Sequence, residues 1–445
     1  MKKVVLLLLI LLCQNLYPQF KSDDEFLDTL QYRSFLYFIN EINPENGLVK
    51  DRSQAGSPAS TAATGWGVAA WAIGAEHNWI TRERAAELTL NLLRFLMNSE
   101  QSEKPDATGY KGFYYHFLDM KTGKREWNCE LSTIDTAWLI AGIRFAMHYY
   151  NKDNESEKEI RELGEKVTNR VDWSWAVIQK SRHNGHEKLI SMAWSPEKGL
   201  SDFGWFGYTE ALFLYILAAG TNLNNPVEVY NQWLSGYKWK EHYEGLPHVI
   251  FPPLFGHQFS HMFIDFKGLK DSYLREKGID YFENSRRAAL ANRMYCIQNP
   301  NKWAGYDSLT WGISACDGPG SEYNKNGYKF EGYAGRGASG PGDVIADDGT
   351  ITPEAAGGSI PFAPEVCIPA LKNMYEKYGN KGLWGKYGFV DAFNLTADWY
   401  DKDWLGLDQG PYVIMIENYR TGMVWNYMME DPVIKKGLEI PGIRK

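Results

Sequence analysis

Apolar positions recur at helical spacing along most of this chain, and they come in two alternating kinds of segment. In the first kind the segment is apolar almost all round: residues 59–77 are small and nearly uncharged, and 132–150 and 207–219 repeat the pattern. In the second kind the apolar residues share one face. Over 26–40 these are Leu27, Leu30, Phe35, Leu36, Phe38 and Ile39, and after Thr81 they are Leu88, Leu92, Leu93 and Phe95. Such spacing predicts helices, buried on every side in the first case and on one side in the second. Thr81 reads as an N-cap, with Glu83 in the first turn where the helix dipole favours an acid. Amphipathic segments at 155–179, 226–237 and 271–297, with further helices at 362–378 and 409–429, complete the set. About eleven or twelve segments in this alternation predict two concentric layers, an all-α (α/α)6 toroid of six helical hairpins. No short self-similar period supports an open solenoid instead. No charged linker or Pro/Ser-rich hinge interrupts the chain, so residues 21–445 are expected to form one domain.

Two intervals between helices stand out. Residues 101–130 carry Tyr110, Phe113, Tyr114, Tyr115, His116 and Phe117, and read as a β-hairpin or loop turning at 120–125. Residues 299–361 are too long for a passive connection in a compact domain, which predicts a functional loop.

Composition narrows the chemistry. The chain spends 17 Trp, 27 Tyr and 21 Phe yet keeps a mean hydropathy of −0.42, as a carbohydrate cleft would, although a merely aromatic core would look the same. Met1-Lys2-Lys3 followed by the apolar run 4–12 is too short to span a bilayer and fits a secretory signal over residues 1–20. Cys13 is a candidate lipid anchor, and no later segment is long and apolar enough to cross a membrane. Without Lys2 and Lys3 the 47 basic residues fall to 45 against 55 acidic ones, a net −10. That balance argues against nucleic acid as a partner, because phosphate binding needs clustered Lys and Arg. Cys129, Cys296, Cys316 and Cys367 match neither a zinc site nor a dense disulfide framework; one disulfide is conceivable and unassignable.

Acids at the starts of apolar helices are the candidate chemistry. Glu130 and Asp135 precede or open the 132–150 segment, and Glu210 follows Trp205-Phe-Gly-Tyr-Thr inside the apolar 207–219 run. Burial among aromatics raises a carboxyl pKa and suits it to donate a proton; capping of a helix explains Asp135 equally well. A glycosidase needs a second carboxyl on the other side of the sugar. Asp391, in Gly388-Phe-Val-Asp-Ala-Phe, is the leading base, Asp408 the next, and Glu130 remains open. Trp205, Tyr115, Trp311 and Phe330 are expected to stack on sugar, and Arg336, His257 and Asp408 to bind its hydroxyls. His257, His261 and Asp265 are spaced for one helix face, and Asp343, Asp347 and Asp348 loosely suggest a calcium loop, but the expectation is no metal and no cofactor. There is no HExxH, P-loop, dinucleotide fingerprint or nucleophile elbow.

Several motifs in order carry a family likeness: Ala62-Ala-Thr-Gly-Trp-Gly-Val-Ala-Ala-Trp, Ser132-Thr-Ile-Asp-Thr-Ala, Gly204-Trp-Phe-Gly-Tyr-Thr-Glu-Ala, Pro253-Leu-Phe-Gly-His-Gln-Phe-Ser-His, and Asp348-Gly through Phe362-Ala-Pro-Glu365. Over nearly the whole mature chain they resemble the glucoamylase-like family, more narrowly glycoside hydrolase family 144, the β-1,2-glucanases. The resemblance implies an (α/α)6 barrel, secretion or periplasmic release, and hydrolysis of β-1,2-glucan or its oligosaccharides with inversion, either within chains or by release of sophorose from an end. It also implies that Glu210 and the Glu130/Asp135 positions line the cleft. Two other classes fit the composition less well: a non-catalytic glycan-binding protein of an uptake system, and a polysaccharide lyase, which would want a basic cleft.

Overall fold

The computed structural model describes residues 19–182, 186–324, 327–338 and 346–445. The signal segment and Cys13, in all but its last two residues, and Asp343 lie outside the described residues. The chain is mostly helical, with several small antiparallel sheets between the helices.

The all-round apolar segments become helices Thr61–Glu76, Thr133–Tyr149 and Leu212–Gly220, and nearly every residue in them is buried. Amphipathic helices Arg82–Asn98 and Glu155–Asn169 flank them, each burying one face. Thr81 does cap its helix, accepting from the Arg84 N–H. Ser60 and Ser132 cap the first two buried helices in the same way. These two helices touch backbone to backbone. A Cβ on Gly65 would lie 2.3 Å from the Trp138 carbonyl oxygen, and one on Gly142 would lie 1.9 Å from that of Gly65. Only glycine at both positions permits this approach, which brings the N-terminal ends of the two helices together.

Several predicted elements end early, for local reasons. The 271–297 segment is two helices, Ser272–Lys277 and Tyr281–Gln298, because Gly278 takes a left-handed φ of 74° and closes the first. Gly422, at φ 68°, similarly separates Gly406–Arg420 from Met423–Met428. The 155–179 helix stops at Asn169, and the chain then turns into a short strand, Val177–Ile178. The 207–219 helix starts only at Leu212, so Glu210 precedes it rather than lying within it.

The aromatic 101–130 interval is strand-rich, as expected. Phe113–Tyr115 pairs with Gly109–Tyr110 on one side and with Leu131–Ser132 on the other, in a five-stranded sheet that ends at Gly199–Leu200. This sheet leads directly into the Ser132 cap. In the long 299–361 interval, Ala315–Cys316 pairs with Ala334–Gly335, and a short helix Glu354–Gly357 follows. The four described cysteines are free thiols. Among the described residues no helix is long and apolar enough to cross a membrane.

Candidate active site

Four acids stand at or just before the N-terminal ends of buried helices. Asp135 and Asp408 lie in first turns, Glu354 opens its helix, and Glu210 sits two residues ahead of Leu212. The packing that builds the core therefore also gathers the acids, and the helix dipoles partly offset their charge.

Glu210 is 8% exposed, and its Oε2 has no hydrogen-bond partner. Burial pushes its carboxyl up to about 7, and the nearby Asp135 charge adds to the push. Its position is fixed through the backbone: Ser260 Oγ donates to the Glu210 carbonyl at 2.8 Å and accepts from the Phe213 N–H at 3.0 Å. This carboxyl can hold a proton at neutral pH and present it to a ligand.

Asp135 is both a capping partner and a member of this group. Its N–H is capped by Ser132, whose hydroxyl also bonds the Asp135 carboxylate. Its Oδ1 lies 3.6 Å from His116 Nε2, while His116 Nδ1 is 2.8 Å from Glu130 Oε1. Burial works against a charge on His116, but Asp135, Glu130 and Asp51 outweigh it and raise the imidazole to about 9. His116 is thus a cation at neutral pH. Burial alone would raise Glu130, but the His116 bond and charge hold it below its ordinary value. Glu130 is accordingly an ion-paired carboxylate, while Glu210 is a proton carrier.

A second set of acids surrounds Asp391, which is 1% exposed. Its Oδ2 accepts from the Asp317 N–H at 2.7 Å, and its Oδ1 is otherwise unpartnered. Burial, then the charges of Asp408, Asp317 and Asp401, drive it well above the carboxylate range. Burial and the Glu354 charge do the same to Asp408, with Asp391 beside it countering part of the rise. Burial also raises Glu354 to about 8, with Asp391 contributing. Asp401 is more open; burial and Asp317 lift it only to about 6, and its Oδ2 has no partner. One carboxylate oxygen from each of Asp317, Asp391 and Asp401 lies within 4.8 Å of the other two, the spacing among the described residues that could take a cation. Arg52 already supplies positive charge there, at 2.8 Å from Asp317, 3.5 Å from Asp51 and 3.7 Å from Asp403. Asp51 in turn bears on His116, so Arg52 joins the two acid sets.

Two grooves open beside these sets. One of about 930 Å3 is lined by Glu130, Arg125, Trp194, Glu197 and Phe203. The other, of about 900 Å3, is lined by Asp401, Asp403, Tyr323, Trp384 and Trp404.

The structure thus brings together Glu210, Asp135 and Glu130, and separately Asp391 and Asp408. It places the expected stacking residues elsewhere. Tyr115 and Trp311 are fully buried, Phe330 is 2% exposed, and Trp205 donates to Thr133 Oγ1 within the core. Their faces are covered by protein, so they cannot serve as open platforms. Arg336 is also committed to structure: it pairs with Asp348 at 2.7 and 2.8 Å and donates to the carbonyls of Cys316, Glu331 and Gly332. His257 is buried against Tyr208, and burial holds its imidazole neutral. His261 bonds Ser285, and Asp347 accepts from Tyr295 and Tyr306, so neither the histidine face nor the 347–348 pair is arranged around an ion.

Sequence reasoning missed His116, Asp51, Arg52, Asp317, Glu354 and Asp401. Glu354 carries the same signal as Glu210, an acid at the start of an apolar helix, and was legible on that ground. The open aromatic rings, Trp127 at 61% and Tyr333 at 71% exposure, were likewise not singled out.

Comparison with known proteins finds relatives along nearly the whole chain. A family described as Putative glucoamylase matches residues 202–432. An exo β-1,2-glucooligosaccharide sophorohydrolase (non-reducing end) of Parabacteroides distasonis is 30% identical over 95% of this chain. The match covers 58% of that relative, so this chain spans under two thirds of its length. A putative glucoamylase from Bacteroides uniformis superposes with a TM-score of 0.83 at 32% identity, over 96% of this chain and 99% of that one. The endo-β-1,2-glucanase of Chitinophaga pinensis, solved with sophorotriose and glucose, superposes with a TM-score of 0.81 at 28% identity, over 95% and 99% of the two chains. With its acids gathered at helix N-termini and this likeness running almost end to end, the chain belongs to the Putative glucoamylase family, of the glycoside hydrolase family 144 type.

Proposed function

We propose that this protein is a glycoside hydrolase that cleaves β-1,2-glucan or β-1,2-glucooligosaccharides by an inverting acid/base mechanism. The observation that carries the reading is Glu210: a buried, unpartnered carboxyl raised to about 7, in a molecule that gathers a separate set of buried acids around Asp391. Glu210 protonates the departing glycosidic oxygen, directly or through a bridging group. On the other side a water sits at Asp391 and Asp401. Asp391 and Asp408 are both driven well above the carboxylate range and stay protonated, so Asp401, raised only to about 6, is the member ionised at neutral pH and accepts the proton from water. His116, protonated, keeps Asp135 and Glu130 from adding their full charge to the Glu210 side. The β-1,2 linkage as substrate is supported by the relatives, which act on that linkage.

The fold that fits this reading is a single (α/α)6 toroid over residues 21–445. Its support is the alternation of wholly buried and one-face-buried helices, with the acids at one end of the buried set. Export to the periplasm or beyond is part of the proposal, supported by the basic start and the apolar run 4–12, and N-terminal sequencing of the mature protein would test it.

The test of the mechanism is Glu210→Gln assayed on β-1,2-glucan. Loss of a general acid is expected to lower kcat by about 10²-fold or more. A variant that keeps most of its activity would remove Glu210 from the acid role. Proton NMR of the first sugar formed should show the α-anomer, and a β-anomer would refute inversion.

A further inference from the structure

Tyr333 is the most open of the large aromatic residues described, at 71% exposure. Single exposed aromatics are common on protein surfaces and by themselves mean little. What distinguishes this one is how it is held. The hairpin Ala315–Cys316 with Ala334–Gly335 pairs Cys316 with Ala334, which sets Tyr333 beside Asp317, whose N–H donates to Asp391. The two residues just before Tyr333 are clamped by a buried guanidinium: Arg336 donates to the carbonyl of Glu331 at 3.1 Å and to that of Gly332 at 3.0 Å. Asp348 completes the clamp, pairing with Arg336 and accepting the Glu331 N–H at 3.0 Å. A buried ion pair is a costly way to hold a surface turn, and at Gly332 the space a side chain would occupy is open, so the turn is held by its backbone carbonyls. Crowding raises the phenol above its ordinary value, and the charges of Asp391, Glu210 and Asp317 all add to the rise. Charges from both acid sets thus act on this phenol, and the hairpin register places it on the Asp317–Asp391 side.

We propose that Tyr333 is a substrate-contacting, specificity-determining residue, whose ring is the face against which a glucosyl unit lies over the gap between Glu210 and Asp391, with Arg336–Asp348 as its positioning brace. This rests on the glycoside hydrolase reading above. It replaces the buried aromatics with a ring that a sugar can reach, and it gives the committed guanidinium of Arg336 an indirect part in the site.

The experiment uses the full chain carrying Glu210→Gln, which holds substrate without turning it over, and measures binding of a β-1,2-linked glucopentaose by calorimetry. Adding Tyr333→Ala should weaken binding about tenfold, while Tyr333→Phe, which keeps the ring, should stay within about threefold. In the active enzyme Tyr333→Ala should raise KM with a smaller change in kcat and leave Tm unmoved, since the side chain is exposed. Arg336→Lys should raise KM too, but add nothing in the Tyr333→Ala background; an equal rise there would overturn the brace. Unchanged binding in Tyr333→Ala would overturn the proposal while leaving the hydrolase reading intact. If the Glu210→Gln protein binds no β-1,2-linked oligosaccharide at all, the hydrolase reading falls and this proposal falls with it.

Discussion

Replacing Glu210 by Gln should stabilise the protein while it destroys activity, and the gain should grow with pH. The Glu210 carboxyl is raised from 4.5 to about 7 in the folded chain, mainly by burial. The unfolded chain ionises it first, so stability that is fully present below about 4.5 is lost as pH rises towards 7. Each pKa unit is worth about 1.4 kcal/mol, so the full loss is about 3 kcal/mol. Between pH 5 and pH 8 the linkage relation leaves about 2–3 kcal/mol of that change. Gln does not ionise, and any fixed packing difference between the two side chains cancels in the comparison across pH. For a chain of this length the extra gain corresponds to roughly 3 °C in Tm. The assay is thermal unfolding of wild type and Glu210→Gln in parallel at pH 5, 6, 7 and 8. A Tm difference that stays constant over that range would mean Glu210 is already ionised at pH 5, and the argument for it as proton donor would fail. The expected result is a familiar trade, in which a buried acid kept for chemistry lowers stability.

The rate on β-1,2-glucan should peak between the Asp401 and Glu210 values of about 6 and about 7, and Asp401→Asn should remove the acidic limb of the kcat/KM profile along with most of the rate. His116 is raised from 6.5 to about 9, so its stabilising effect is present below 6.5 and fades as pH rises through 9. His116→Gln should therefore cost about 2 kcal/mol near pH 6, allowing for partial solvent exposure, with the cost shrinking by pH 9.5 in denaturant titrations. Far from the site, Asp431 lies fully buried at 2.8 Å from both Arg144 and His148. Asp431→Ala should destabilise by about 3–5 kcal/mol, because it leaves the Arg144 charge buried without its partner, and calorimetry should show it.

How legible the molecule was depended on what kind of information each feature needs. Helix positions rest on local periodicity, and 61–76, 82–98 and 133–149 fell within a few residues of expectation. The breaks at Gly278 and Gly422 were missed because an amphipathic face continues across them, although a left-handed glycine ends the helix. Glu210, Asp135 and Glu130 could be picked out because an acid beside an apolar run is anomalous in sequence. Glu354 had the same mark and was passed over. Arg52, Asp317 and Asp401 sit in polar surroundings in sequence, and only the fold brings them against Asp391. Aromatic content pointed to sugar but not to which rings are open. Trp311 and Tyr115 look like Tyr333 in sequence, and burial separates them only in three dimensions.

The most direct measurement is incubation of the purified protein with linear β-1,2-glucan and, in parallel, with amylose, following products by chromatography over time. The account predicts β-1,2-linked oligosaccharides or sophorose from the first and nothing from the second. Sugar released from amylose, or an inert β-1,2-glucan that is nevertheless bound, would contradict it.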